Sequence, residues 1–185
     1  MDPRAGLAAL PVLRRQLLAG AAVGGGLAVG WWLWPRRYSS PLVPGPNEHG
    51  FGGWLTIAED GVVTVALPQL EMGQGVTTVL AQVVAVELGA DWRQVAIEPA
   101  PPAGLFANTA LAAKWAPLWS RLPGLADDPD GLLAERFARS NAFCATAEGL
   151  SLAAYEQPLR AAAAAARALL AMAAAERWGV GWEEC

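Results

Sequence analysis

Residues 54–58 (Trp-Leu-Thr-Ile-Ala) and 62–67 (Val-Val-Thr-Val-Ala-Leu) are short runs rich in β-branched and aromatic side chains. Such side chains suit the pleated, half-buried surface of a sheet, and Glu59-Asp60-Gly61 between them carries Asp-Gly turn chemistry. The pattern predicts a hairpin whose second strand ends at Pro68. Further on, Val76, Val79, Leu80, Val83, Val84, Val86 and Leu88 fit a buried helix, with Gly89 placed to cap it. Residues 95–98 (Val-Ala-Ile-Glu) read as a third strand, stopped by Pro99, Pro101 and Pro102. Strand, strand, helix, strand implies an α+β class, with a helix packed on a small sheet.

The second half is more helical. Residues 108–119 read as a helix broken at Pro117, and residues 132–140 as a short one. Residues 158–177 form the clearest helix, with Pro158 in its first turn, alanine through its interior and Gly179 closing it.

The N-terminal pattern differs in kind. Leu13-Arg14-Arg15-Gln16-Leu17-Leu18 precedes an uncharged run over residues 19–34. Paired arginines before a Gly/Ala-rich apolar stretch resemble a twin-arginine export signal, although Leu13 and Leu17 replace the usual hydroxyl residue and Phe. Residues 17–34 approach the shortest length that spans a bilayer, with Trp31, Trp32 and Trp34 suited to the far interface. Residues 41–53 hold three prolines and four glycines around His49 and read as a linker. The expected organisation is a signal or membrane anchor over 1–40, a linker over 41–53 and a domain over 54–185. The expected location is the periplasm, with residues 17–34 as an inner-membrane anchor if the signal is not cleaved.

Charge sharpens this division. Residues before position 41 carry five Arg against Asp2, whereas the rest carries eight basic and sixteen acidic residues. An acidic body argues against a nucleic-acid partner. Although 54% of the chain is hydrophobic, much of that is alanine, so the core is expected to be modest. Cys144 and Cys185 are too few for a disulfide framework, though they leave one bridge open. No spacing suggests a metal site: His49 is the sole histidine, and Asp127 to Gly131 lacks the later ligands of a calcium loop.

The segment with chemical promise is Glu71-Met72-Gly73-Gln74-Gly75-Val76-Thr77-Thr78. It is a glycine-rich turn leading from a strand into a helix N-terminus. Gly73 and Gly75 allow close approach of a ligand to the backbone, and N–H groups there favour an anionic or carbonyl-rich partner. Gln74 offers a donor and an acceptor. Many Gly-x-Gly loops serve turn geometry alone, so the pattern is weak by itself.

Taken with other segments, it resembles the molybdopterin-binding subunit of the xanthine dehydrogenase/aldehyde oxidase family, in the branch of isoquinoline 1-oxidoreductase beta subunits and related aldehyde dehydrogenases. The matching segments are the turn itself, Val86-Glu87-Leu88-Gly89-Ala90-Asp91-Trp92, Ala107-Asn108-Thr109 with Trp115, Ala145-Thr146-Ala147-Glu148-Gly149 with Pro158-Leu159-Arg160, and Ala173-Ala174-Ala175-Glu176-Arg177-Trp178-Gly179-Val180. The resemblance implies that Gly73, Gln74 and Gly75 contact a molybdopterin-type molybdenum cofactor, in dinucleotide form. It further implies that Thr146, Gly149 and Ser151 face its phosphates. Departures occur at Leu150, where the family often has Ser or Thr, and at Ala153, where a basic residue is frequent.

The same resemblance implies an N-terminal portion of a larger subunit. Related chains continue for several hundred residues, and that remainder carries a second glycine-rich loop and the catalytic glutamate base. The complete enzymes oxidise aldehydes or N-heterocycles with water-derived oxygen and pass electrons to an iron–sulfur small subunit and, in some, a membrane cytochrome. No catalytic residue and no metal ligand is assigned here, and the chain by itself is expected to be inactive. The alternative is a non-catalytic, membrane-anchored remnant or partner-binding module.

Overall fold

The computed structural model describes residue 20, residues 23–32, residue 34 and residues 36–185. The chain divides into two units, residues 1–37 and 38–185. In the first, residues 23–32 are helical, and the Arg36 guanidinium lies 5.4 Å from the Trp31 ring centroid. The paired arginines at 14 and 15 and part of the apolar run lie outside the described residues.

The second unit is built on a four-stranded sheet in the order β1 (Glu48–Phe51), β2 (Leu55–Ala58), β3 (Val63–Leu67) and β4 (Val95–Pro99). The first three strands run antiparallel, with Leu55 opposite Val65 and Ile57 opposite Val63. Strand β4 joins β3 in parallel, Val65 opposite Ile97, which requires a crossover. Helix α1 (Val76–Leu88) makes it.

The hairpin and third strand lie where the alternation placed them. Strand β1 is the difference: residues 48–51 fall within the segment read as a linker, and residues 38–40 belong to the folded unit. Ser40 Oγ donates to the Gly53 carbonyl at 3.3 Å, and Arg139 approaches the Tyr38 ring. High Pro and Gly content hid a short edge strand whose ladder bonds come from β2 rather than from its own composition.

Helix α1 turns Val76, Leu80, Ala81, Val84 and Ala85 inward, while Val79 and Val86 are exposed. It ends at Gly89, as expected. Helices α2 (Thr109–Lys114), α3 (Ala116–Trp119) and α4 (Leu132–Ser140) follow. Pro117 stands in the first turn of α3 rather than merely breaking a longer helix, because a proline there forfeits no helical bond. Trp119 stacks on Phe137 of α4, with ring centroids 4.0 Å apart.

Helix α5 spans Ser151–Trp178. It begins well before Pro158, which lies inside the helix and not in its first turn. Burial of Ser151 and Tyr155 on the same stripe as Leu159, Ala162, Ala163 and Ala166 outweighs the missing proline donor. This stripe packs along α1, and the small alanines permit close approach. Among the described residues α5 is the one helix long and apolar enough to cross a membrane, but its N-terminal half is part of the core.

The centre of that core is aromatic. Trp54 meets Phe106 and Tyr155 edge-on, at centroid distances of 4.8 and 5.9 Å. Tyr155 donates its hydroxyl to the Phe106 carbonyl at 2.7 Å, so its one polar atom is satisfied inside.

Candidate functional site

The turn between β3 and α1 and the segment leading into α5 are brought face to face. Between them is a pocket of about 350 Å³, lined by Met72, Gln74, Val76 and Val79 on one side and by Thr146, Ala147, Glu148, Gly149, Ser151 and Leu152 on the other. Four of the six residues assigned from sequence, Gln74, Thr146, Gly149 and Ser151, thus line one cavity. Gly73 and Gly75 shape the turn without lining it.

Their conformations explain the glycines. Gly73 has φ +91° and Gly75 φ +74°, values that disfavour any L side chain. A methyl group built at either would meet nothing within 4 Å, so backbone torsion rather than crowding requires glycine there.

The turn is held by its own side chains. Glu71 Oε1 accepts from Gly73 N at 2.9 Å and Gly75 N at 2.8 Å, while Oε2 accepts from Thr77 N at 3.2 Å and Thr77 Oγ1 at 2.9 Å. Gln74 spans the same turn: Oε1 accepts from Met72 N at 2.5 Å and Nε2 donates to the Leu70 carbonyl at 2.7 Å. The expectation that backbone N–H groups stand free for a ligand is therefore corrected. Glu71, a short-range acceptor at a helix N-terminus, already holds them.

The opposite wall is tied to the turn by Gln69. This side chain is buried, and its Oε1 accepts from Thr146 Oγ1 at 3.1 Å and from Ser151 Oγ, while Nε2 donates to the Cys144 carbonyl at 3.3 Å. Thr146 Oγ1 also accepts from Leu70 N at 3.0 Å. The hydroxyls assigned to phosphate contact are thus turned toward Gln69. Sequence reasoning missed Gln69 because its partners lie more than seventy residues away and nothing local marks it.

Glu148 closes the rim, with an uncommon φ of +55° for a non-glycine residue. Its carboxylate accepts from Trp115 Nε1 at 2.5 Å and pairs with Lys114 Nζ at 2.7 Å. Asn108 supports this wall from below. Fully buried, it accepts from Leu111 N at 2.9 Å as an N-cap and donates to the Ala145 carbonyl at 3.0 Å. Asparagine before a helix signals a cap in sequence, whereas the bond to Ala145 has no such signal.

Both carboxylates are held below the usual glutamate range. For Glu71 the Gly75 N–H is the foremost cause; desolvation opposes it, and the Thr77 and Gly73 hydrogen bonds add to the lowering. For Glu148 the hydrogen bond from Lys114 comes first, then that from Trp115. Cys144 moves the other way: burial raises its thiol, and Sγ lies 3.2 Å from the Phe106 carbonyl. Cys144 and Cys185 are both free.

Comparison with known proteins decides the family. The model of the molybdopterin cofactor-binding domain matches residues 13–109, just over half of the chain and inclusive of the glycine turn. The chain belongs to this molybdopterin cofactor-binding family. It is 30% identical over 127 residues to isoquinoline 1-oxidoreductase subunit beta of Brevundimonas diminuta, a match covering 69% of this chain and 13% of that protein. It is 38% identical over 65 residues to a membrane-bound aldehyde dehydrogenase (pyrroloquinoline-quinone) of Gluconacetobacter polyoxogenes, covering 34% of this chain and 8% of that protein. The chain thus spans a small part of the relatives it matches.

The pocket fits the cofactor's flat heterocycle better than its phosphate. Met72, Val76, Val79 and Leu152 give apolar faces, and Gln74, Thr146 and Ser151 give polar edges. The volume lies near the lower end of small-molecule sites. Two carboxylates and one matched lysine leave no cationic surplus on these walls for a phosphate.

Proposed function

We propose that this chain supplies one wall of the molybdopterin site in a molybdenum hydroxylase of the xanthine dehydrogenase/aldehyde oxidase type. The observation that carries the proposal is the meeting of the Gly73-Gln74-Gly75 turn and the Thr146 to Ser151 segment across a single pocket. In this reading Gln74 meets the pterin, and Gly73 and Gly75 give the turn the backbone shape that presents it. Thr146, Gly149 and Ser151 bound the opposite side, and the dinucleotide's phosphates extend toward the remainder of the subunit. The bound cofactor would supply the two-electron redox chemistry for oxidising aldehydes or N-heterocycles. Glu71 and Glu148 are engaged in hydrogen bonds and serve as no general base here.

The partners are the rest of the large subunit, an iron–sulfur small subunit and a membrane cytochrome. Exposed Leu169, Leu170, Met172, Trp178 and Trp182 near the C-terminal end support a covering partner. The location is the periplasm, by way of a twin-arginine-like signal or an anchor at residues 17–34, and the membrane-bound relative is consistent with that.

The test is co-expression with the C-terminal remainder of the Brevundimonas relative, followed by molybdenum analysis of the purified pair. Molybdenum retained above the level of either fragment alone is the expected result. A second version with Leu150→Ser and Ala153→Arg addresses the remnant alternative, which those two positions favour. Background metal in both versions overturns the retained-site reading.

A further inference from the structure

Gly73 N, Gly75 N, Thr77 N and Thr77 Oγ1 all donate to one carboxylate, that of Glu71, at 2.8 to 3.2 Å. The turn sits at the N-terminus of a thirteen-residue helix, where the macrodipole also favours negative charge. An anion is therefore already in place, and it is covalently part of the chain.

We propose that Glu71 is a positioning residue that fixes the turn and makes it reject anions. A phosphate arriving at these N–H groups must displace a carboxylate tethered a few residues away, whose effective concentration far exceeds that of a free ligand. The facing wall supplies no unmatched cation to draw it in, because Lys114 is paired with Glu148 there at 2.7 Å. The turn therefore accepts a neutral group, met by apolar side chains and by the Gln74 carboxamide, and the ligand's phosphate is directed elsewhere. The inference refines the cofactor assignment above and rests on it for the identity of the ligand. The selectivity is a property of this chain alone.

Amide NMR of the full 185-residue chain, kept in solution with a neutral detergent and titrated with inorganic phosphate, tests it without the cofactor. The wild type should show no saturable shift at Gly73, Gly75 or Thr77 at phosphate concentrations up to tens of millimolar, on the order expected for weak anion sites. Glu71→Ala should gain a saturable shift at all three. Glu71→Gln keeps one acceptor oxygen for the glycine amides and takes the acceptor from the Thr77 N–H, whose hydroxyl can instead accept from the new amide, so its phosphate response should be confined to the Thr77 amide. Saturable wild-type shifts at these amides overturn the proposal, as does a folded Glu71→Ala chain that gains none. If Glu71→Ala does not fold, Glu71→Gln decides, and silence at Thr77 then counts against the role. Either result leaves molybdenum retention in the paired fragments unchanged as a test of the cofactor reading.

Discussion

Thr146 Oγ1 donates to Gln69 Oε1 at 3.1 Å across seventy-seven positions of sequence, and this bond joins the two walls of the pocket. Ser151 donates to the same oxygen, and Gln69 Nε2 is spent on the Cys144 carbonyl. Gln69→Leu keeps the bulk but strips three groups of their partner. Leaving buried polar groups unpaired costs about 1–3 kcal/mol each and is not additive, so a loss of about 2–4 kcal/mol is expected. Urea unfolding measures it, and a double-mutant cycle with Thr146→Val should show coupling of about 0.5 kcal/mol or more. Additive losses would mean that the two walls are held by other contacts.

Much of the scaffold was legible because its signals are local. Residues 54–58 and 62–67 alternate, an Asp-Gly turn separates them, and Gly89 and Gly179 end the helices they were placed to end. Misreadings came where distant packing decides. Tyr155 and Ser151 draw α5 back past Pro158, and β2 recruits residues 48–51 into the sheet. The pocket divides in the same way. Glycines with positive φ announce the turn, and the family resemblance supplies Thr146, Gly149 and Ser151. Gln69 and the occupied donors of Glu71 emerge only from three-dimensional geometry.

Glu71 should leave a trace in acid. Its folded-state pKa is depressed, so the stability it contributes is fully present above the unfolded value near 4.3 and is lost as pH falls through the folded pKa. Protection of the Gly73, Gly75 and Thr77 amides, measured against each amide's intrinsic exchange rate, should fall in that window below the ordinary glutamate range. Asp91 and Glu148 are also depressed and share the window, so the difference between wild type and Glu71→Gln isolates this one group. Parallel acid profiles for the two chains would show that the carboxylate does not hold the turn.

Tyr155 predicts the opposite limb. Burial raises its pKa well above the ordinary tyrosine range, foremost by desolvation. A group with a raised folded pKa contributes stability fully present below its unfolded pKa of about 10, and lost as pH rises through the folded value. Stability should therefore fall from about pH 10 upward, and Tyr155→Phe should flatten that slope. At neutral pH the same substitution leaves the buried Phe106 carbonyl without its hydroxyl partner, at a cost of about 1–2 kcal/mol. Denaturant midpoints at pH 7 and above pH 10 check both halves.

Helix α5 provides a contrast within one element. Leu159 is fully buried against the aromatic core, whereas Leu169 and Met172 are 55% and 54% exposed on the same helix. Leu159→Ala removes packed volume and should cost about 2–5 kcal/mol. Leu169→Gln and Met172→Gln exchange exposed apolar groups for residues of equal helix quality, and each should stay within about 0.5 kcal/mol of wild type. Their effect should appear instead in self-association, because the apolar groups they remove belong to the face that a partner would cover. Sedimentation velocity should show the Leu159→Ala chain unfolding and aggregating, and the paired glutamine variant folded and less associated than wild type. If the glutamine variants unfold as readily as Leu159→Ala, that end of α5 is core rather than interface.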